Sequence, residues 1–359
     1  MRGGTLLLCT TLLVAGCSPS ADERSTDTAH LSRRKETADL TGAGATFPYP
    51  LYARWFGEWA RLTGVRINYQ SIGSGGGIRQ LAAGTVDFGA TDVPMSPSEL
   101  AAMAPRQVLH VPTAVGAVAI TYNVPGLTRP LQLSGSVLAD LFDGRITRWN
   151  DARLRALNPG VTLPARDVLV VYRADGGGST YLMSAYLARA STAWAERGPS
   201  KDVRWPVGLG GRGNEGVAAQ IKAMPGAIGY VEVIYARQNR LPLAALRNRA
   251  GAFVLPDGDP VQSAAAATVA ADSTGDLQLS VLDAPGALSY PLASLTWLLL
   301  PLDAAHKTST REMSRFVRWA LTTGEPVTRE LGYAPLPEAL RARVLAALDA
   351  LAGQPASAP

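Results

Sequence analysis

The amino-acid sequence predicts an α/β fold in which largely parallel sheets are covered by helices. Apolar and β-branched runs alternate with amphipathic stretches over most of the chain, and this alternation is typical of parallel sheets. Glycine-rich turns lie near residues 44, 75 and 177, the last two between a predicted strand and a predicted helix. The ~320 residues after residue 39 are enough to bury a large core, and this length favours two lobes.

The first seventeen residues are typical of an export signal. Arg2 is followed by an apolar run that is too short to span a bilayer, and then by Val14-Ala15-Gly16-Cys17. This tetrapeptide resembles the lipobox of bacterial lipoproteins, in which the cysteine is acylated and becomes the new N terminus. An ordinary secretory signal, in which Cys17 has no role, is the alternative. Because Cys9 lies in the segment that would be removed, no pair of cysteines remains for an intramolecular disulfide.

Composition and charge exclude several classes of protein. Residues 18–39 are polar and without periodicity, which predicts a flexible tether, and 353–359 are predicted to be a disordered tail. The net charge is +5, but the only run of basic residues is 33–35, so no nucleic-acid surface is expected. No segment after the signal is long and apolar enough to cross a membrane. The three histidines, at 30, 110 and 306, are far apart, so neither a metal site nor a cofactor is predicted.

The first part of the folded chain contains two of the glycine-rich turns. Its pattern predicts, in order, a helix over 51–62, a strand over 65–70, a glycine turn over 71–77, a short helix over 78–83, a strand over 85–92 and a helix opened by a capping box at 96–99. Pro48 and Pro50 suit the first turn of the first helix, so the amides of Thr46 and Phe47 are expected at its N terminus. The strand over 85–92 delivers Asp92 to its C-terminal end.

The alternation continues in the second part of the chain. Strands are predicted over 108–113, 115–122, 167–172, 227–231 and 292–300. Helices are predicted over 134–142, 181–190, 215–224 and 337–351, and a further helix is predicted to begin with a cap at 309–312. In open parallel sheets, ligands bind beyond the C-terminal ends of the strands, where the glycine-rich turns fall. The sequence therefore predicts a binding site at these turns.

The segment 173–180, Arg-Ala-Asp-Gly-Gly-Gly-Ser-Thr, joins a predicted buried strand to a predicted helix. Its three adjacent glycines allow bare N–H groups to approach a ligand, and the N terminus of the helix carries partial positive charge. Ser179 and Thr180 add hydroxyl donors, and Arg173 adds a guanidinium. This combination predicts an anion site, while a surface turn with a helix cap is the alternative.

Two competing motifs have less support. Residues 208–213 satisfy the pattern G-x-G-x-x-G, and Glu232 follows nineteen residues after Gly213, as in a dinucleotide-binding fingerprint. The segment 205–207, Trp-Pro-Val, is however a poor strand to precede such a turn. Ser74 fails the G-x-S-x-G pattern of hydrolases because Ile72 occupies the position of the first glycine. The patterns therefore favour neither a dehydrogenase nor a serine hydrolase.

A series of motifs resembles the phosphate-binding protein of the bacterial high-affinity phosphate ABC transporter. The matching segments begin with 40–48, Leu-Thr-Gly-Ala-Gly-Ala-Thr-Phe-Pro, and continue with 73–77, 86–92, 173–176, 205–211 and 225–232. They follow one another over nearly all of the chain after residue 39, so the resemblance is far more specific than a single glycine motif. It also accounts for the G-x-G-x-x-G pattern as a loop of the family.

The resemblance implies a two-lobed, periplasmic-binding-protein-like fold that closes around dehydrated phosphate by a hinge crossed twice. The lobes would be 40–115 plus 293–352 and 116–292. It further implies a lipid-anchored protein outside the cytoplasm that is not an enzyme, and that delivers inorganic phosphate to the permease and ATPase subunits of an ABC transporter. The alternatives are an exported phosphate-ester hydrolase on the same scaffold and a receptor for another protonated oxyanion such as arsenate.

The resemblance also implies a set of phosphate-binding residues. By correspondence with the family these are Thr46, Phe47, Ser74, Asp92, Arg173, Gly177, Gly178 and Ser179. Hydroxyls and helix-terminal amides in this set would donate hydrogen bonds to the anion. Arg173 would make paired, charge-assisted hydrogen bonds, with Asp175 orienting its guanidinium.

Two residues of this set determine what we expect of the ligand. Asp92 is repulsive beside an anion unless the ligand carries a proton to donate, and phosphate near neutral pH carries one whereas sulfate does not. Many members of the family have serine where this chain has Gly177, so one hydroxyl donor is missing. We expect this loss to weaken affinity by ~1.5–3 kcal/mol, and a Gly177→Ser variant to bind no worse.

Overall fold

The computed structural model describes residues 39–353, with side chains described from Asp39 to Leu351. The predicted export signal, the predicted acylation of Cys17, the tether up to residue 38 and the tail from residue 354 lie outside the described residues.

Strands and helices alternate along the described part of the chain. The strands are β1 Leu40–Gly44, β2 Ile67–Ser71, β3 Phe88–Thr91, β4 Val108–Tyr122, β5 Gln132–Leu133, β6 Leu169–Arg173, β7 Leu209–Gly211, β8 Ala227–Glu232, β9 Ala245–Arg247, β10 Phe253–Val254 and β11 Ala293–Pro301. The helices are α1 Tyr49–Thr63, α2 Ser74–Ala82, α3 Pro97–Ala101, α4 Gly135–Phe142, α5 Ala152–Leu157, α6 Gly178–Ala190, α7 Thr192–Arg197, α8 Gly213–Ala223, α9 Val233–Gln238, α10 Gly258–Ala271, α11 Lys307–Ala320, α12 Glu325–Glu330 and α13 Glu338–Gly353.

The main sheet has eight strands in the order β2-β1-β3-β11-β4-β8-β6-β7, and a small sheet has the order β10-β9-β5. In the main sheet β1 is parallel to β2 and β3, and β6 is parallel to β7 and β8. The antiparallel pairs are those of β11 with β3 and β4, and of β4 with β8. The predicted α/β class with mostly parallel strands is therefore confirmed.

The long strand β4 joins the two halves of the main sheet. Its first part, as far as Ala117, pairs with β11, and its last part, from Val118, pairs with β8. The prediction of two separate strands here was wrong. Pro112 has no N–H for the ladder, but the register shifts beside it, so the strand continues through an irregularity instead of ending.

The helix predicted over 51–62 is observed as α1, with its apolar side chains buried except that of Leu62, which is 55% exposed. Trp55, Phe56 and Trp59 are buried, and their rings lie 5.0 to 6.3 Å from that of Phe316 on α11. The helix ends at Gly64, whose φ of 79° is the left-handed cap that glycine favours. This packing joins α1 to α11.

Other element boundaries differ from the prediction. Helix α2 begins at Ser74, so Gly75 to Gly77 form its first turn and not a loop. A Cβ on Gly77 would lie 2.4 Å from the carbonyl oxygen of Ala43, so glycine allows α2 to approach β1 closely. The predicted cap at 309–312 was wrong, because α11 already begins at Lys307. The small sheet and helices α5, α7, α9, α10 and α12 were not predicted.

No helix between residues 39 and 353 has both the length and the apolar character needed to span a bilayer.

Candidate functional site

The N termini of α1, α2 and α6 lack side-chain caps. Ser96, Ser134 and Asp151 cap α3, α4 and α5, whereas α7, α8, α10, α11 and α12 also lack a side-chain cap, so a missing cap does not by itself mark a site. The first N–H groups of an α-helix have no acceptor within the helix, and they carry partial positive charge. Three helices with open N termini, each following a strand of the main sheet, are therefore suited to an anion.

The turn at Thr46 and Phe47, before α1, is buried and held by two tyrosines. The Tyr235 hydroxyl donates to the Thr46 carbonyl at 2.7 Å, and the Tyr333 hydroxyl donates to the Phe47 carbonyl at 2.7 Å. Because the C=O and N–H of one trans peptide point in opposite directions, Tyr235 also fixes the direction of the Phe47 N–H. Among the described residues, nothing accepts a hydrogen bond from that N–H.

Asp92 follows β3 directly and is fully buried. One of its carboxylate oxygens accepts a hydrogen bond from the Thr296 hydroxyl at 3.1 Å, and the other accepts one from the Ser74 hydroxyl at 3.2 Å. The Asp92 N–H donates to the Ser74 oxygen at 3.3 Å. Ser74 is the first residue of α2, so these bonds join the end of β3 to the N terminus of that helix.

Burial raises the pKa of Asp92 from its ordinary value of 3.8 to about 7. The positive charge of Arg173, the hydroxyls of Thr296 and Ser74, and the charge of Lys201 all act in the opposite direction. The carboxyl group therefore exchanges a proton close to neutral pH. In its ionised form this group accepts a hydrogen bond from a protonated ligand and repels one that has no proton.

Arg173 ends β6, and its guanidinium is buried. The guanidinium forms an ion pair with Asp175, including a hydrogen bond from Nε to Oδ1 at 3.1 Å. Burial alone would raise the pKa of Asp175, but the hydrogen bond and charge of Arg173, with the Gly213 N–H, hold that pKa below its ordinary value. The Gly213 N–H at the start of α8 donates to Asp175 at 2.8 Å. Asp175 is thus ionised and holds one side of the guanidinium.

Two donors near this ion pair remain unused. Nη1 of Arg173 and Oγ of Ser179 are buried and have no hydrogen-bond partner within the described residues. Buried polar groups are nearly always paired, so each exception needs an explanation. A guanidinium N–H, a hydroxyl and open helix N termini together are what a buried oxyanion would satisfy.

The glycines at the start of α6 leave room for their neighbours. A Cβ on Gly177 would lie 2.5 Å from Cζ of Arg173, and a Cβ on Gly178 would lie 2.4 Å from Cβ of Asp92. The Gly177 N–H donates to the Lys201 carbonyl at 3.0 Å. This N–H therefore has an acceptor within the protein.

The structure thus brings the sequence-predicted residues together. Asp92 contacts both Ser74 and Gly178, and Arg173 contacts Gly177. Thr46 joins them through α8, because a Cβ on Gly213 would lie 3.9 Å from Cγ2 of Thr46. The hydroxyl of Thr180, considered from the sequence as a further donor, lies 2.8 Å from the Tyr230 hydroxyl, and either of the two is able to donate.

Several residues around the site were missed by sequence reasoning. They lie far along the chain from the residues that they contact: Asn214, which bonds Thr46; Thr296, which bonds Asp92; and Lys201, which bonds Glu99. Only Asn214 had a signal, as the residue that follows the 208–213 glycine motif. That motif forms β7 and the start of α8, and its last amide binds Asp175, so it serves the arginine and not a dinucleotide.

Among residues 39–353, no group of three His, Cys, Asp or Glu side chains is placed to hold a metal ion.

A family model, two related sequences and a solved structure all match most of this chain. The PBP superfamily domain matches residues 24–323. The chain is 44% identical over 301 residues to the phosphate-binding protein PstS of Pasteurella multocida, covering 83% of this chain and 86% of the relative. It is 39% identical over 349 residues to the PstS of Xylella fastidiosa strain Temecula1, covering 93% and 94%. A solved phosphate-binding protein from Stenotrophomonas maltophilia has the same fold, with a TM-score of 0.65 at 19% identity, covering 86% and 93%.

Proposed function

This chain belongs to the PBP superfamily and, within it, to the PstS phosphate-binding proteins, and we propose that it binds inorganic phosphate between two lobes and delivers it to an ABC importer. The observation that carries the proposal is that, within residues 39–353, Nη1 of Arg173 and the Ser179 hydroxyl are buried without a hydrogen-bond partner. Gly177 and Gly178, which precede Ser179, contact Arg173 and Asp92. The charge of Arg173 is already paired with Asp175, but its spare buried N–H still needs an acceptor, which an oxyanion supplies. The ionised form of Asp92 beside that oxyanion favours one that carries a proton.

Each site residue has a proposed role. The amides of Phe47, Gly178 and Ser179 and the hydroxyls of Thr46 and Ser179 donate to phosphate oxygens, as does Arg173, while Asp92 accepts the phosphate proton. The Ser74 hydroxyl, which donates to Asp92 in this structure, turns to donate to phosphate when the ligand binds. Asp175 holds Arg173, and Gly177 makes room for it. The support is that the first turns of α1, α2 and α6 are uncapped and that Asp92 lies against Ser74 and Gly178.

We propose lobes of 40–115 plus 293–352 and of 116–292. The support is the change of partner within β4, from β11 to β8 at Val118. In the main sheet β1, β2, β3 and β11 lie on one side of β4, and β6, β7 and β8 lie on the other. Several hydrogen bonds then run between the lobes, for example from the Gly75 N–H to the Gly176 carbonyl at 3.3 Å. Release of phosphate would require these bonds to break in a hinge opening.

We also propose that Cys17 is acylated and anchors the protein to the cell envelope outside the cytoplasm, on the basis of the Val14-Ala15-Gly16-Cys17 sequence. The partners of the protein there are the permease and ATPase subunits of the importer. Phosphate is bound and released without chemical change.

Calorimetric titration of the purified protein with phosphate, sulfate and arsenate tests this function. We expect tight binding of phosphate, binding of arsenate, which has the same shape and protonation, and no measurable binding of sulfate. Equal affinity for sulfate and phosphate would contradict the proposed role of Asp92. Absence of phosphate binding would contradict the function itself.

A further inference from the structure

Asn214 lies in the first turn of α8 and is fully buried. Its side chain sits between two partners of different kinds. The Glu232 N–H, at the end of β8, donates to Oδ1 of Asn214 at 2.9 Å. Nδ2 of Asn214 lies 2.9 Å from the hydroxyl oxygen of Thr46, a residue 168 positions away.

The orientation of the Asn214 side-chain amide is fixed by its hydrogen bond with the Glu232 N–H. A backbone N–H only donates, so the amide atom that faces it must be the carbonyl oxygen. The other amide atom is then the NH₂ group, which only donates. The hydroxyl oxygen of Thr46 is therefore an acceptor in its bond with Asn214.

This bond leaves the Thr46 hydroxyl with its single hydrogen free for another acceptor. Thr46 is buried, with only 3% of its surface exposed. Its hydroxyl nevertheless has no second hydrogen-bond partner among the described residues. Its position before α1 puts it among the groups of the proposed phosphate site. Apart from the protonated oxygen that faces Asp92, the oxygens of the bound anion offer only acceptors, so a hydroxyl that presents a lone pair to them would be repulsive.

We infer that Asn214 is a positioning residue that commits the Thr46 hydroxyl to donate its hydrogen to the bound anion. The inference rests on the proposed phosphate function and deepens it. A hydroxyl oriented before the ligand arrives needs no reorientation on binding, which strengthens the hydrogen bond to the anion. Asn214 and Thr46 belong to different proposed lobes, so the donor is oriented only when the lobes are closed.

The Asn214→Asp variant tests the direction of the hydrogen bond between residue 214 and the Thr46 hydroxyl. An aspartate keeps an acceptor for the Glu232 N–H but replaces the NH₂ donor by an oxygen, so the Thr46 hydroxyl turns to donate to residue 214. We expect phosphate affinity to fall at least about tenfold, because one donor to a charged ligand is lost. The added negative charge would also weaken binding, and a second background separates the two effects.

The matched background is Thr46→Val, which removes the hydroxyl and keeps the shape of the side chain. If Asn214 acts through the hydroxyl, Asn214→Asp weakens phosphate binding much less in the Thr46→Val background than in the wild type. Equal loss in both backgrounds would overturn the inference, since charge or structure alone would then explain it. Titration calorimetry with inorganic phosphate supplies the affinities.

A third variant keeps the test decisive if the aspartate variant does not fold. Asn214→Leu removes both hydrogen bonds without adding charge and leaves the Thr46 hydroxyl free to rotate. We expect it to weaken phosphate binding in the wild type and to have little further effect in the Thr46→Val background, while additive effects would overturn the inference. Failure of the wild-type protein to bind phosphate would instead refute the proposed function.

Discussion

The guanidinium of Arg173 occupies the space in which a side chain at Gly177 would lie. A Cβ built on Gly177 would be 2.5 Å from Cζ of Arg173 and 2.6 Å from each of its two terminal nitrogens. The guanidinium is buried and tied to Asp175, so it has little freedom to move aside. This contact changes the expectation from the sequence, in which Gly177 was only a missing hydroxyl.

We predict that Gly177→Ala weakens phosphate binding. The added methyl group pushes the guanidinium from its place against Asp175, and overpacking of this kind costs about 1–3 kcal/mol, or roughly five- to 150-fold in affinity. Titration calorimetry measures the change. The matched control is Gly176→Ala, because a Cβ on Gly176 has nothing within 4 Å and should leave affinity unchanged. Equal affinities of the two variants would contradict the prediction.

The Gly177→Ser variant distinguishes the effect of the added Cβ, which crowds Arg173, from the effect of an added hydrogen-bond donor. It adds the same Cβ together with a hydroxyl able to donate to the anion. We therefore expect it to bind phosphate more tightly than Gly177→Ala and no more tightly than the wild type, as judged by the same titrations. A serine variant tighter than the wild type would show that the lost hydroxyl outweighs the contact with Arg173.

We predict that Asp92→Asn weakens the rejection of sulfate. The asparagine removes the carboxylate that repels an unprotonated oxygen and offers an NH₂ donor in its place. The preference for phosphate over sulfate should fall at least about tenfold, measured by competition between the two anions. Asp167→Asn, at an exposed carboxylate near the opposite end of β6, is the control. Unaltered exclusion of sulfate would show that another group selects the ligand.

The same substitution should change how stability depends on pH. Burial raises the pKa of Asp92 from 3.8 to about 7, so between these pH values the folded protein binds a proton that the unfolded chain has released. This contribution to stability is present at low pH and is lost as the pH rises to about 7. In the absence of phosphate, Asp92→Asn should therefore gain free energy of unfolding relative to the wild type between pH 5 and pH 8. Urea unfolding at both pH values measures it, and a constant difference would contradict the raised pKa.

Much of this site could be predicted because its residues stand at the junctions of strands and helices. Asp92 follows β3, Arg173 ends β6, and Ser74 and Gly178 begin α2 and α6. Such junctions are visible in local patterns of apolar residues and glycines. The glycines of α2 were nevertheless taken for a loop, because glycine is a poor helix former and its close approach to β1 is a tertiary contact.

The partners that orient the site could not be predicted in the same way. Asn214 reaches Thr46 across 168 positions, and Thr296 reaches Asp92 across 204. No local pattern distinguishes a buried threonine that holds a carboxylate from one that only fills the core. The raised pKa of Asp92 and the unpaired Nη1 of Arg173 likewise follow from burial, which depends on the whole fold.

The ion pair between Glu99 and Lys201 is expected to stabilise the closed arrangement of the two proposed lobes. Nζ of Lys201 lies 2.7 Å from both carboxylate oxygens of Glu99, and the two residues belong to different proposed lobes. Glu99→Gln keeps an acceptor for the Ser96 N–H in the capping box of α3 but removes the charge that holds Lys201.

Two explanations of this pair predict opposite changes in phosphate affinity for Glu99→Gln. If the pair stabilises the closed form, Glu99→Gln weakens phosphate binding by roughly two- to fivefold, as expected for about 0.4–1 kcal/mol from a partly exposed pair, and speeds dissociation. If only the net charge near the anion matters, removing a negative charge strengthens binding. Titration and stopped-flow kinetics at low and high salt distinguish the two, since screening should shrink the effect. Glu58→Gln, which breaks the surface pair with Arg54 on α1, removes the same charge without crossing the lobes and should leave affinity nearly unchanged.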